Sequence, residues 1–415
     1  FVKNPENFSH HLRSSLAQEL GERYQSLVNN PRITWRLGKN FNQRLFEFNL
    51  LFRSPGWPLF CPGIQEAIKK GSEITSAMNL FLALCPSHNI IGVTGTKGKG
   101  TTASLIYHII KQSRKKVFLG GNIGVAPFSF INKIKKSDWI VLELSSFQLE
   151  GLNYSPLLAV ITNIYKEHLA PADSLNPNYH RSYRDYILAK LRIAQNRTQL
   201  DKLFFNIHDQ KIIEKYLPRS NQKDMVPFSA SSLPSQLMGK YNQENVGAAV
   251  AVAKYVKIKK EVIARAVKTF KGLEHRLELV GNINGIRYYD NSFATNPEST
   301  IMDLDSFQEP IVLLAGGADK GANFRPLAKK IKQRVKAVVL LAGEATPRIK
   351  KELLAAKYPL KKISLAQSMA EAIRLARKSA SSGDIILLST ACASFGLFKN
   401  YKERGNLFKL YAQKK

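Results

Sequence analysis

Residues 91–102 read IGVTGTKGKGTT, a β-branched apolar run that breaks into Gly95, Thr96, Lys97, Gly98 and Lys99. The segment TTASLIYHIIKQ follows, with its apolar residues at helical spacing. A strand, a glycine-rich turn and a helix in that order restrict the fold more than any other segment, because they belong to a parallel sheet whose strands are joined through helices. The glycines let backbone N–H groups turn inward around a phosphate chain. Lys99 adds a point charge and the helix N-terminus adds its positive dipole end. The segment therefore implies a bound nucleoside triphosphate. It departs from the usual Walker form at two positions: Val93 stands at the first glycine, and Gly100 stands where a metal-binding Ser or Thr follows the lysine. Thr101 or Thr102 must then reach the metal.

Strand-like and helical runs alternate along the chain. Strands are expected at 89–95, 116–121, 139–144, 157–164, 202–207, 310–317, 337–343 and 384–389, with helices between them, among others at 243–256 and 365–380. The segment GIRYYDNS (285–292) restarts the pattern after a helix ending near Phe270 and the turn-like KGLEHR. A chain of 415 residues exceeds one ordinary core. Boundaries near residues 88 and 272 divide it into 1–88, 89–272 and 273–415, giving an α/β protein of three domains with a parallel phosphate-loop sheet in the middle.

The charge is lopsided, with 62 Lys and Arg against 31 Asp and Glu, or +31. The basic residues run through the whole chain (KIKK at 133–136 and 257–260, KKIKQRVK at 329–336). No tail, recognition helix or aromatic-interleaved signature accompanies them, so a solvated basic surface is expected, with no specific nucleic-acid partner. No apolar run approaches the roughly 20 residues that span a bilayer, and the opening FVKNPENFSHHLRSSL lacks the apolar core of a signal peptide. Cys61, Cys85 and Cys392 have neither metal-site nor disulfide-framework spacing, and Cys392 reads as a small buried residue. A cytoplasmic protein with no membrane span is expected.

Glu143, in VLELSSFQLE, closes one expected strand, and His168, in NIYKEHL, follows another. Ligands of open parallel sheets bind outside the carboxyl ends of the strands, so both converge on the phosphate loop. A glutamate suits Mg²⁺, and an imidazole hints at a second metal position. By itself His168 reads as a surface or capping histidine.

VTGTKGKGTT, GGNIG (120–124), VLELSSFQLE (141–150), AKLRI (189–193), GKYNQENVGAA (239–249), GLEHRLE (272–278), DNSFATNP (290–297), LLAGGADKG (313–321) and STACASFGLFKNYKERG (389–405) occur in the order found in Mur ligases. The chain resembles that family over about residues 50–410. ELSSFQLE and ACASFGLFKNYKERG resemble the branch that adds D-glutamate to UDP-N-acetylmuramoyl-L-alanine in peptidoglycan synthesis. The resemblance implies a three-domain monomer that uses ATP and two Mg²⁺ ions, with a Rossmann-like C-terminal domain that swings. It implies that Gly95, Thr96, Lys97, Gly98, Lys99, Gly100, Thr101 and Thr102 hold the ATP phosphates and that Thr101, Glu143 and His168 bind metal. Lys190 matches a lysine that is carbamylated in the family and so becomes a metal ligand; without the family it reads as an ordinary helix lysine. Asn242 and Asn245 match nucleotide contacts, Arg276 a γ-phosphate contact, and Asn291 a position that usually carries a ribose-binding aspartate. Asn122, Ser145 and Gln148 match contacts to the muramoyl substrate. Thr295, Lys320, Ser394, Phe395 and Tyr401 match the D-glutamate pocket.

Some positions depart from the family pattern. Asp290 precedes Asn291, so ribose binding is expected to shift onto Asp290. Phe293 replaces a common lysine. Tyr165 and Lys166 replace small and acidic residues beside His168, and Ala170 and Pro171 interrupt the usual continuation. The family's uridine-binding opening is absent, which implies a fragment or a shortened N-terminal domain. Gly100 and that opening support one alternative, a related amide ligase such as a folylpolyglutamate synthetase. The basic charge supports another, a non-catalytic binding protein on a ligase scaffold. Activation of a substrate carboxylate by ATP, followed by amine attack, needs no protein nucleophile, so Ser145 and Ser146 are expected to be substrate or structural hydroxyls.

Overall fold

The computed structural model describes residues 30–32, 36, 41–171, 177–198, 200–319 and 321–414. Most of the opening segment, and Lys320, lie outside the described residues. β1 (Leu50–Phe52) and β2 (Glu73–Thr75) pair in parallel beside the helices Pro62–Lys69 and Ala77–Leu84.

The middle of the chain forms one sheet of six parallel strands: β3 (Ile90–Thr94), β4 (Val117–Gly121), β5 (Trp139–Glu143), β6 (Leu158–Ile161), β7 (Lys202–Asn206) and β8 (Met225–Phe228), in the order β4-β5-β3-β6-β7-β8. All of β3 is buried because helices cover both faces. Ile91, Val93, Val141 and Val160 pack on the side of the helices Lys99–Gln112, Lys240–Tyr255 and Lys260–Thr269. Ile90, Ile140, Leu142 and Ile161 pack on the side of Ala77–Leu84 and Tyr183–Leu191. Strands buried on both faces read as continuous apolar runs, which is why they were legible.

The second sheet has the order β13-β12-β11-β14-β10-β9, from β9 (Glu278–Ile283), β10 (Ile286–Asp290), β11 (Ile311–Ala315), β12 (Val335–Leu341), β13 (Ile363–Ala366) and β14 (Ile385–Leu388). Only β9, at one edge, runs antiparallel. Each of the eight expected strands coincides with a strand. The helix expected at 365–380 is corrected: Leu365 and Ala366 belong to β13, and Ser368 caps a helix that begins at Met369 by accepting the Glu371 N–H. β1, β2, β8, β9, β10 and β13 lie outside those eight, β10 falling in the segment 285–292 where the pattern restarts. Among the described residues no helix is long and apolar enough to cross a membrane, and Cys61, Cys85 and Cys392 are free and buried.

Candidate active site

The chain leaves β3 toward β4 on one side of the sheet and later returns to β6 on the other, so the crevice for a ligand opens at the carboxyl end of β3. The glycine loop lies there, and contacts from β6 shape it. Asn163 Oδ1 accepts the Lys97 N–H at 2.8 Å, and Thr162 Oγ1 donates to the Lys97 carbonyl at 2.7 Å. A Cβ on Gly95 would stand 1.9 Å from Thr162 Oγ1, and one on Gly98 2.0 Å from Asn245 Oδ1. Both glycines also have positive φ, so no other residue fits the turn. Gly98 caps the helix Lys99–Gln112, whose first turn holds Gly100, Thr101 and Thr102. Thr101 is buried. Thr102 Oγ1 donates to Asn245 Oδ1 at 3.3 Å, and Asn245 Nδ2 donates to Asn242 Oδ1 at 2.9 Å. This places Asn242 and Asn245 directly behind the loop.

Cations are in excess around the loop. Lys99 Nζ donates to the Thr96 carbonyl at 3.0 Å, and Lys190 Nζ donates to the Gly95 carbonyl at 2.7 Å. Lys190 is only 1 % exposed. Burial lowers the Lys99 ammonium, with Glu143 and Glu167 opposing. Burial, then Lys99, holds Lys190 well below the ordinary lysine range. Lys97 pairs with Glu167 at 2.8 Å and lies 3.4 Å from Ser299 Oγ on the helix Pro297–Leu304, a contact between the two sheets' domains. Lys97, Lys99, Lys190 and Arg276 thus share the crevice with two carboxylates, Glu143 and Glu167. Such a surplus in a partly desolvated site is relieved by a polyanion.

Glu143 ends β5 with its side chain buried and no hydrogen bond to its carboxylate among the described residues, an arrangement open to a hard cation. His168 has φ 59° and stands between Phe147 and Tyr186, its side chain 45 % exposed. Partial burial, with Lys190 and Lys99, pushes it down to about 4 against the pull of Glu167, so at neutral pH the imidazole keeps a lone pair for a metal.

The loops after β10, β11 and β14 gather at the carboxyl edge of the second sheet. The Gly316 N–H donates to the Thr390 carbonyl at 2.9 Å, and the Ala318 N–H to Ala393 at 3.0 Å. They bring together half-buried Thr295, buried Ser394, exposed Phe395 and half-buried Tyr401. Asp290 faces inward. It is 0 % exposed, and its oxygens accept from His275 Nδ1 at 2.7 Å and from the Ser292 N–H at 2.8 Å. The expected shift of a ribose contact onto Asp290 therefore meets no open carboxylate oxygen. Asn291 Nδ2 donates instead to Asp303 at 2.6 Å. His275, Asp290 and Glu278 also bring ligand-type atoms together, but Lys409 Nζ, 2.7 Å from Glu278 and 3.0 Å from Glu274, already balances that cluster.

Ser145 and Gln148 form a reciprocal capping box at the helix Ser146–Leu149, which fixes the chain just past Glu143. Asn122 is exposed, its N–H donating to the Glu143 carbonyl at 2.8 Å. Ser146 Oγ is 2.9 Å from His180 Nε2, so it is a structural hydroxyl. Sequence reasoning missed Glu167, His180, Tyr186 and Arg53. Tyr186, 2.8 Å from Thr96 Oγ1, lies four residues before Lys190 on one helix face, and that spacing was the available signal.

Fold and site together define an α/β protein with a crevice for a polyphosphate between two open sheets. Residues 93–234 match the Mur ligase middle domain, and residues 275–392 match the Mur ligase, glutamate ligase domain. The chain is 37 % identical to a UDP-N-acetylmuramoylalanine–D-glutamate ligase of Acetivibrio thermocellus, over 91 % of this chain and 85 % of that one. It is 35 % identical to the protein of the same name from Clostridium kluyveri, over 95 % and 87 %. The chain belongs to the Mur ligase family, whose members are ATP-dependent amide-bond-forming ligases. Two solved structures share the fold. A UDP-N-acetylmuramate–alanine ligase of Thermotoga maritima aligns with a TM-score of 0.59 at 18 % identity, covering 88 % of this chain and 85 % of that one. A folylpolyglutamate synthase from the same organism aligns at 0.58 and 15 %, covering 82 % and 93 %.

Proposed function

We propose that this chain joins D-glutamate to UDP-N-acetylmuramoyl-L-alanine at the expense of ATP, as a cytoplasmic monomer in peptidoglycan synthesis, with residues 89–272 holding the nucleotide and 273–415 the amino acid. The observation that carries the reading is buried Lys190 and Glu143 beside half-buried Lys99, around a glycine loop that admits no side chain at Gly95 or Gly98. Such a site suits transfer of a phosphoryl group, where positioning and charge compensation supply most of the rate.

The substrate carboxylate is a poor electrophile. Its oxygen attacks the terminal phosphorus of ATP, the bond to the bridging oxygen breaks and ADP leaves. Lys97, Lys99 and Arg276 offset the charge that moves. The D-glutamate amine then attacks the acyl carbon, the carbon–oxygen bond to phosphate breaks, and the amine gives up a proton as the amide forms. Thr101, Glu143 and His168 would hold Mg²⁺, which when bound neutralises the phosphoryl oxygens. Lys190, whose ammonium form is disfavoured first by burial and then by Lys99, is suited to add CO₂, forming an N–C bond with loss of a proton, and would then be an oxygen ligand for a second ion. By the family match, Asn122, Ser145 and Gln148 would contact the muramoyl substrate, and Thr295, Lys320, Ser394, Phe395 and Tyr401 the amino acid.

The test is phosphate release from ATP and Mg²⁺ with the two substrates supplied singly and together. Release that needs both supports the assignment. Release with another acceptor, and none with D-glutamate, would transfer it to a related amide ligase.

A further inference from the structure

Arg276 follows His275 and precedes Leu277, both with left-handed backbone (φ 60° and 51°), in the turn that enters β9. Its guanidinium carbon lies 3.7 Å from the centroid of the Phe293 ring. Its backbone N–H donates to the Leu273 carbonyl at 3.2 Å, but among the described residues the guanidinium makes no hydrogen bond or ion pair, so its N–H groups have no partner. Phe293 is 39 % exposed, an unusual place for a phenyl ring beside a polar crevice. Its backbone N–H donates to the His275 carbonyl at 3.2 Å, and its ring meets Tyr401 edge-on at 5.1 Å and 89°. One face of the ring therefore carries the guanidinium and its rim is braced by Tyr401.

A carboxylate at position 293 would pair with Arg276 and use its donors, and a lysine would repel it. An aromatic face holds a guanidinium flat without taking a single N–H, leaving the planar fork for a ligand. We propose that Phe293 is a positioning residue that orients Arg276 toward the transferred phosphoryl group and leaves the diphosphate part of the nucleotide to the glycine loop. The proposal rests on Arg276 being the phosphate contact assigned above.

The experiment measures binding of ADP and of a non-hydrolysable ATP analogue, with Mg²⁺, to the full chain and to Phe293→Leu, Phe293→Tyr and Arg276→Lys, and measures kcat and KM for ATP in each. Phe293→Leu is expected to weaken the triphosphate analogue about 5- to 20-fold with ADP affinity unchanged, and Phe293→Tyr to restore it. Unchanged ADP affinity also shows that the variant is folded. If Phe293→Leu weakens both nucleotides equally, or neither while Arg276→Lys loses the analogue, the positioning role is overturned. If Arg276→Lys leaves the analogue's affinity unchanged, the phosphate assignment of Arg276 falls, and this inference with it.

Discussion

Asp303, on the helix Pro297–Leu304, offers a quantitative test of the electrostatics. It is 2 % exposed, and one oxygen, Oδ2, accepts from Ser389 Oγ at 2.6 Å and from Asn291 Nδ2 at 2.6 Å. Burial pushes the carboxyl up from 3.8 to about 7, with those two bonds and Lys97 opposing. The folded protein therefore keeps this proton up to about pH 7, whereas the unfolded chain releases it near 3.8. Between those values the unfolded state binds fewer protons, so stability falls as pH rises, by about 1.4 kcal/mol per pH unit. Over the whole interval the loss is about 4 kcal/mol, and between pH 5 and pH 8 about 3 kcal/mol. Asp303→Asn removes the titration, and its amide oxygen can take both bonds made by Oδ2. The new NH₂ buries donors in place of Oδ1, but that cost is the same at every pH and drops out when slopes are compared. Calorimetric melting at matched ionic strength should show the variant gaining on the parent by roughly 10 °C between pH 5 and pH 8 in the transition of the second sheet. Parallel profiles, within about 2 °C, would mean that the carboxyl titrates near its ordinary value and that the site is wetter than its packing implies.

Lys99→Met should cut phosphate release by about 10²–10³-fold while leaving the melting temperature unchanged or higher, since a desolvated ammonium is removed; activity within tenfold of the parent would refute its role. Gly98→Ala places a Cβ 2.0 Å from Asn245 Oδ1 at φ 82°, and should cost about 2 kcal/mol together with most of the ADP affinity in a titration. Arg53→Met breaks the bonds of a buried guanidinium to the Trp57, Phe147 and Glu150 carbonyls and to the Glu150 carboxylate. Leaving Glu150, among the described residues, with only His180 Nδ1, 3.2 Å away, should cost about 3 kcal/mol, and limited proteolysis followed by mass spectrometry should find cleavage within 41–75 while the fragment from residue 90 onward persists.

What the sequence made legible follows from burial. β3, β5, β6, β11, β12 and β14 are sandwiched between helices, so both faces are apolar and each run stands out from its neighbours. β8 (MVPF) and β13 (ISLA) are four-residue edge strands, half exposed, one with a proline, and such strands carry almost no periodic signal. The same logic applies to the site. The glycine loop is local in sequence, so its shape could be read directly. The partners that define it, Asn163, Asn245, Tyr186 and Lys190, lie between 66 and 147 positions away from Gly98 or Lys97 in chain order, and only the packing of three helices on one sheet edge reveals them.

Neighbouring side chains at the loop and the second sheet's edge complement one another. A Cβ at Gly100 would stand 3.2 Å from Glu143 Oε2, so the glycine leaves the carboxylate room at the metal end of the loop. Asn291 brings no charge, yet its amide is bonded to Asp303, so a carboxylate stands one layer deeper with its burial raising its affinity for a proton. Phe293 supplies no cation, yet it carries the guanidinium of Arg276 on its face. Lys97 adds a cation to the loop, and Glu167 adds a carboxylate 2.8 Å from it. Cations stay in excess toward the crevice, with Lys97, Lys99 and Arg276 facing Glu143 and Glu167. A polyphosphate is attracted by that local sum of charge, to which each of these side chains contributes.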